Sequence, residues 1–223
     1  MSSGIEKATD FFDRIRVINL DKDKDMMQNF RKESKEAGFQ NIERFSAIKH
    51  KNGYKGVKQS HLSVIKDAYE SSSFSVLIFE DDCEFVPNFQ KRLQKYVFEL
   101  KTTSWALFYL AIGFGPEDKY TPEPVGDHLF RLKHGWFNHA YAVNTSHPGL
   151  MKRFRDTESG AIDRNSSWSH YLSNEIFDEF PCFCSRNILA LQKPRISNNE
   201  HEFKNFVPPM LRHFEEHKTK ALS

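Results

Sequence analysis

The sequence runs to 223 residues, 39% of them hydrophobic and 21 of them phenylalanine, enough for one large domain or two small ones with a sizeable core. Lysine and arginine number 32 against 30 acidic residues, a net charge of +2, which argues against a nucleic-acid binder with its concentrated basic face. No uninterrupted apolar run is long enough to span a bilayer, and the polar start MSSGIEKATDFF lacks a signal peptide's apolar stretch. Cys83, Cys182 and Cys184 form no disulfide framework, so the expected compartment is a reducing cytoplasm. The Cys-x-Cys pair has no second pair to complete a metal site and reads as two idle thiols.

Taken in chain order, "IRVINL" (Ile15 to Leu20) predicts a buried strand, and Asp21 to Ala37 a polar helix ending at Gly38. "IERFSAI" predicts a short second strand. From Gln59 to Ser71 the spacing of Leu62, Ile65 and Tyr69, with Val64 and Ala68 beside them, predicts an amphipathic helix. "SVLIF" is a third strand, a helix follows on Phe89, Leu93, Tyr96, Val97 and Leu100, and "WALFYLAI" is a fourth strand. Such alternation implies an α/β fold with a largely parallel sheet covered on both faces. The pattern changes at "GFGPEDKYTPEPVG", which reads as a loop or lid. Short strands at "HLFRLK" and "HAYAVN", helices near Pro148 to Asp156 and Ser167 to Phe180, and a late strand at "NILALQ" complete the chain. The expected organisation is a single domain over 1–223. A Rossmann-like nucleotide-binding half covers about 11–112, and its central sheet, mixed in strand direction over the whole chain, continues into a smaller half of mixed structure, about 113–207. The stretch 208–223 is a terminal helix or a linker.

Two buried strands run into clustered acids. After the first come Asp21, Asp23 and Asp25. A calcium loop would need Gly where Met26 stands and Glu where Lys32 stands. A Mg²⁺-dependent phosphohydrolase centred on Asp21 and Asp23 would want Thr or Val at the position of Asp25. Acids in the first turn of a helix, favoured by its dipole, account for the pattern better. After the third strand come Glu80, Asp81 and Asp82, at the carboxyl end where open parallel sheets collect ligands. If strand geometry persists, Glu80 and Asp82 share a face and Asp81 points elsewhere. Oxygen donors of this kind suit Mg²⁺ or Mn²⁺, with a solvated acidic turn as the alternative.

"INLDKDKDMMQNF", "ERFSAI", "GVKQSHLSVIKDAYE" and "VLIFEDDCEFVPNF", in this order and spacing, resemble the nucleotide-sugar glycosyltransferases of family 25, the lipopolysaccharide and procollagen type, and related enzymes of large DNA viruses. The resemblance covers about Ile15 to Phe89, with Val57 where the family has Cys. Beyond it, "HGWFNHAYAVN", "GAIDRNSSW" and "LQKPRIS" resemble later family elements. The resemblance implies a GT-A fold in which the second half binds the acceptor. It also implies transfer from a nucleotide-diphosphate sugar, UDP-linked, to a glycan or glycoprotein acceptor, with inversion. The nucleotide would lie near Asn19, Leu20 and Ala47, beside Ser60 and His61, with Asp81 in the donor site. Asp82 would bind the metal, and Glu80 would reach it through water or hold the ribose. His61 either bonds the donor diphosphate or is a structural hydrogen-bonder, and His201 is a candidate to complete the metal sphere. Trp136, Phe137 and Tyr141 offer a sugar-stacking face or are core. Asp163, in the "ID" segment, is the expected general base, with a helix cap as its other reading and Asp156, Glu158 and Glu175 as substitutes. A non-catalytic sugar-binding module on the same fold is a further alternative.

Overall fold

The computed structural model describes residues 7–115, 120–158, 167–196 and 202–223. The first strand, β1 (Arg14–Asn19), leads into α1 (Lys24–Glu36). Helix α1 stops in a Schellman turn: Gly38 takes φ +88°, with Gly38 N–H on the Lys35 carbonyl and Phe39 N–H on that of Ser34. Next come β2 (Glu43–Ser46) and α2 (Gly53–Glu70). Helix α2 begins well before the expected Gln59. Gly53 and Gly56 weaken the local helical signal, but the Asn52 side chain caps the helix on Lys55 N–H. Strand β3 (Ser75–Glu80) is followed closely by β4 (Cys83–Phe85), then α3 (Phe89–Leu100) and β5 (Leu107–Tyr109).

The second half supplies β6 (Glu123–Val125), β7 (Leu129–Arg131), β8 (Ala140–Asn144), α4 (Leu150–Glu158) and α5 (Trp168–Tyr171). Helix α5 runs on as a π turn over Leu172–Ile176. Strands β9 (Cys182–Ser185), β10 (Ala190–Gln192), β11 (Arg195–Ile196) and β12 (Phe203–Lys204) follow, and α6 (Val207–Leu222) ends the chain. The stretch expected to be all loop thus carries edge strand β6, and the tail is a helix.

Eight strands form one sheet in the order β2-β1-β3-β8-β5-β9-β7-β6. The central sheet is mixed, as expected, although strand–helix alternation in the first half points to largely parallel pairing. Strand β1 runs parallel to β2 and β3, and β5 parallel to β9, but β8 inserts antiparallel between β3 and β5. Strand–helix alternation is a local signal and does not reveal that a later strand will enter the middle. Coverage of both faces holds. Val76 and Ile78 of β3 pack with Leu62 and Ile65 of α2, while Leu77 and Phe79 pack with Phe30 of α1 and Leu93 of α3. No helix among the described residues is long and apolar enough to cross a membrane.

Candidate active site

Strand β3 stops at Glu80, the chain turns at Asp81 and Asp82, and β4 starts at Cys83. The turn breaks the alternation expected of these three acids. Strand β10 pairs antiparallel with β4, setting Gln192 opposite Cys83, and Lys193 N–H then bonds the Asp82 carbonyl at 2.7 Å. This pairing brings Arg195 over the turn. Its Nη1 lies 2.8 Å from Asp81 Oδ1, and its Nε lies 3.1 Å from Asp82 Oδ2. Asn19 Nδ2 donates to Asp81 at 2.7 Å, and Gln192 Nε2 to Asp82 at 3.0 Å. Asp82 is 0% exposed, and its Oδ1 is a buried atom with no hydrogen-bond partner.

These surroundings set the charges. Burial pushes the Asp82 carboxyl up to about 7, against the pull of Arg195. Burial also raises Asp81, opposed by Asn19 and Arg195. At Glu80 burial acts the same way but is outweighed by the hydrogen bond from His61 and by Arg195, so its carboxyl sits below the ordinary range. Burial lowers Arg195, but the three carboxylates together hold it above its usual value. The cation lying among the acids is therefore this guanidinium. Among the described residues no group of three or more His, Cys, Asp or Glu is arranged to hold a metal ion. The donor set of Glu80 and Asp82 is oxygen-only, which suits Mg²⁺ or Mn²⁺, and Asp82 Oδ1, although sealed from solvent, is left without a hydrogen-bond partner.

Behind Glu80 lies a hydrogen-bond chain. Trp168 Nε1–H can only donate, and does so to Tyr141 OH at 2.9 Å. Glu80 as a carboxylate can only accept, so the His61 proton lies on Nε2, 3.3 Å from Glu80 Oε1, and the neutral ring accepts at Nδ1 from Tyr141 OH at 2.9 Å. His61 is 1% exposed with both ring nitrogens engaged, so in the structure it is a hydrogen-bonder inside the protein. Ser60 is likewise inward: its Oγ donates to Gly56 O at 2.7 Å and accepts from Ile48 N–H at 2.8 Å. Gly56 allows this approach, because a Cβ there would meet Ile48 O at 2.6 Å. Together these residues fix the loop after β2. Tyr141 is fully buried and offers no stacking face.

Asn19 O accepts from Ala47 N–H at 2.9 Å, joining the ends of β1 and β2 beside the acidic turn, and Leu20 O caps the next turn through Asp23 N–H. Arg44 completes this corner. Its Nε donates to Asn19 Oδ1 at 2.8 Å and its Nη2 to Asp21 Oδ1 at 2.5 Å, and these bonds with Ser46 hold the Asp21 carboxyl below its ordinary value. Asp21 is thus an ion-pair partner, and Asp23 stands at the start of α1. Asp163 and His201 lie outside the described residues. Asp156 is exposed, and Glu175 pairs with Arg153 at 2.6 Å.

Across 92% of its length the chain superposes on 99% of a glycosyltransferase involved in the glycosylation of the major capsid of PBCV-1, with TM-score 0.52 and 11% identity. The chain shares the mixed α/β fold of that glycosyltransferase. Weaker likenesses are to a UDP-glucose pyrophosphorylase complexed with UDP-glucose (TM-score 0.46, 8% identity, 94% of this chain and 81% of that one) and to a mannose-1-phosphate geranyltransferase from Thermus thermophilus (0.40, 10%, 76% and 58%). No family model matches the sequence, and no curated protein matches it significantly.

Arg195, Gln192 and Arg44 were missed in the sequence. Arg44 carried a signal, a cation on a strand that ends beside clustered acids. Gln192 and Arg195 lie in "LQKPRIS", a segment the resemblance includes, but nothing local ties them to the acids and only the β4–β10 pairing brings them to the turn.

Proposed function

We propose that the chain is a metal-dependent glycosyltransferase, similar to family 25, that moves a sugar from a UDP-linked donor to a glycan or glycoprotein acceptor with inversion. The observation that carries this is the acidic turn at the carboxyl end of β3, with one fully buried carboxylate oxygen left unpartnered. A divalent cation held there by Glu80 and Asp82 would neutralise the diphosphate as it leaves. The residues around it divide the remaining work. Arg195 Nη2 bonds no described residue and is available to a phosphate oxygen, a match suited to guanidinium geometry. His61 keeps Glu80 ionised and oriented. Asn19, Leu20 and Ala47, with Asp81 and Arg44, form the corner facing the nucleoside, and Ser60 secures its loop. Asp163 is proposed as general base and His201 as a further metal ligand, both by resemblance.

A thermal-shift panel of UDP-, GDP- and TDP-sugars, each with Mn²⁺ or chelator, tests the reading. UDP-sugar with Mn²⁺ should raise the melting temperature, and chelator should remove the gain; equal response with and without metal would contradict it. Donor turnover then separates an enzyme from a sugar-binding module. Asp163→Asn should lower transfer by about two orders of magnitude while leaving UDP affinity intact.

A further inference from the structure

Of the three tryptophans, Trp105 and Trp168 are sealed in the core at 5% and 1% exposure, whereas Trp136 is only partly buried. It sits on the segment that enters β8. Because β8 runs antiparallel to β3 with Ala140 opposite Phe79, that segment lies at the carboxyl end of β3, and Glu80 N–H bonds the His139 carbonyl at 2.9 Å. Trp136 therefore lies at the same end of the sheet as the acidic turn. It lies on the β8–β5 side of Glu80, away from the Asn19–Ala47 corner.

The local chain is built around this placement. Trp136 and Gly113 exchange backbone hydrogen bonds of 2.8 and 3.0 Å. A Cβ on Gly113 would fall 2.3 Å from the Phe137 ring, and one on Gly135 would fall 2.3 Å from Ile112 Cδ1. Phe137 itself takes φ +74°, a left-handed conformation unfavourable for a bulky aromatic residue. Two imidazoles flank the indole: His134 edge-on at 4.6 Å and His170 tilted at 4.5 Å. Each is fixed by a serine hydroxyl, Ser173 on His134 at 2.8 Å and Ser167 on His170 at 2.6 Å. Tyr120, largely exposed, extends the aromatic surface beyond His134 at 5.7 Å. The indole N–H donates to no described residue and is not among the sealed unpartnered atoms, so it is open to a ligand.

We propose that Trp136 is a stacking platform for a pyranose ring of the saccharide acceptor. The C–H face of a sugar packs on an aromatic face, and a neighbouring hydroxyl takes the indole N–H, which uses both the apolar body and the polar handle of tryptophan. The position fits an acceptor better than a donor, because the nucleoside corner lies on the other side of Glu80. This inference rests on the glycosyltransferase reading for the identity of its ligand.

Acrylamide quenching of intrinsic fluorescence reports Trp136, since the other two tryptophans are sealed. With UDP and Mn²⁺ present, methyl glycosides of glucose, galactose, mannose and xylose are titrated, and at least one should protect the accessible fluorescence. In the same series followed by ligand-observed NMR, Trp136→Ala should weaken glycoside binding by about tenfold and Trp136→Phe by about threefold or less, as expected for loss of an aromatic contact. UDP affinity should change by less than about twofold in both, which separates this site from the donor site. Absence of protection by every glycoside, or wild-type glycoside binding in Trp136→Ala, would overturn the proposal. So would a parallel loss of UDP and glycoside binding. Failure of the wild type to bind UDP, with glycoside protection retained, would instead count against the donor reading alone.

Discussion

Tyr141 is the middle of a chain whose direction follows from its two ends, Trp168 Nε1–H, which can only donate, and the Glu80 carboxylate, which can only accept. Tyr141→Phe leaves that N–H buried without an acceptor and frees His61 to change tautomer. The expected cost is about 1–3 kcal/mol in a denaturant melt, with weaker metal-dependent UDP binding; unchanged stability would show that the chain does not form. Asp82→Asn differs in kind. An amide keeps the shape and an oxygen to accept from Gln192, so the fold should persist, at a cost of about 1–3 kcal/mol for the lost ion pair with Arg195. At this scale the sequence exposed the acids readily, since three carboxylates after "VLIF" are conspicuous. It hid their counter-charge, because Arg195 arrives through long-range strand pairing. His61 was visible as a motif residue, but no local pattern says that its two nitrogens face Tyr141 and Glu80.

The segment from β2 into α2 shows how an element can carry a motif without touching ligand. Gly56 lets Ile48 O approach the helix, and Ser60 ties down Ile48 N–H, so the loop between them is held against the first turns of α2. Gly56→Ala forces the loop outward, because the contact is with backbone. The expected result is a loss of about 1–3 kcal/mol in stability and a lower UDP affinity; full UDP affinity would remove this loop from the nucleotide site. The strong strands and helices of the first half were legible because β3 is continuously apolar and α3 has a clear apolar stripe. Strands β4 and β9 were not, being short and cysteine-containing, and the start of α2 was masked by glycines. Pairing order was the least legible feature, since β8 takes its place by packing rather than by sequence proximity.

Across the whole molecule, one mixed sheet separates two apolar layers, and the candidate site lies at the carboxyl ends of its strands β1 and β3. All three thiols are sealed within these layers, and burial raises each above its ordinary range, Cys83 with added repulsion from Asp82. A thiol reagent at pH 8 should therefore label none of them rapidly in the native protein and all three after unfolding; fast native labelling would contradict the packing. The central claim, that the turn at the end of β3 holds a metal–nucleotide complex, is tested most directly by calorimetric titration of UDP into wild type and Asp82→Asn, with Mn²⁺ and with chelator. The account expects saturable, Mn²⁺-dependent heat in wild type and none in an Asp82→Asn protein that still unfolds cooperatively above the titration temperature. Equal Mn²⁺-dependent binding by the two proteins would contradict it.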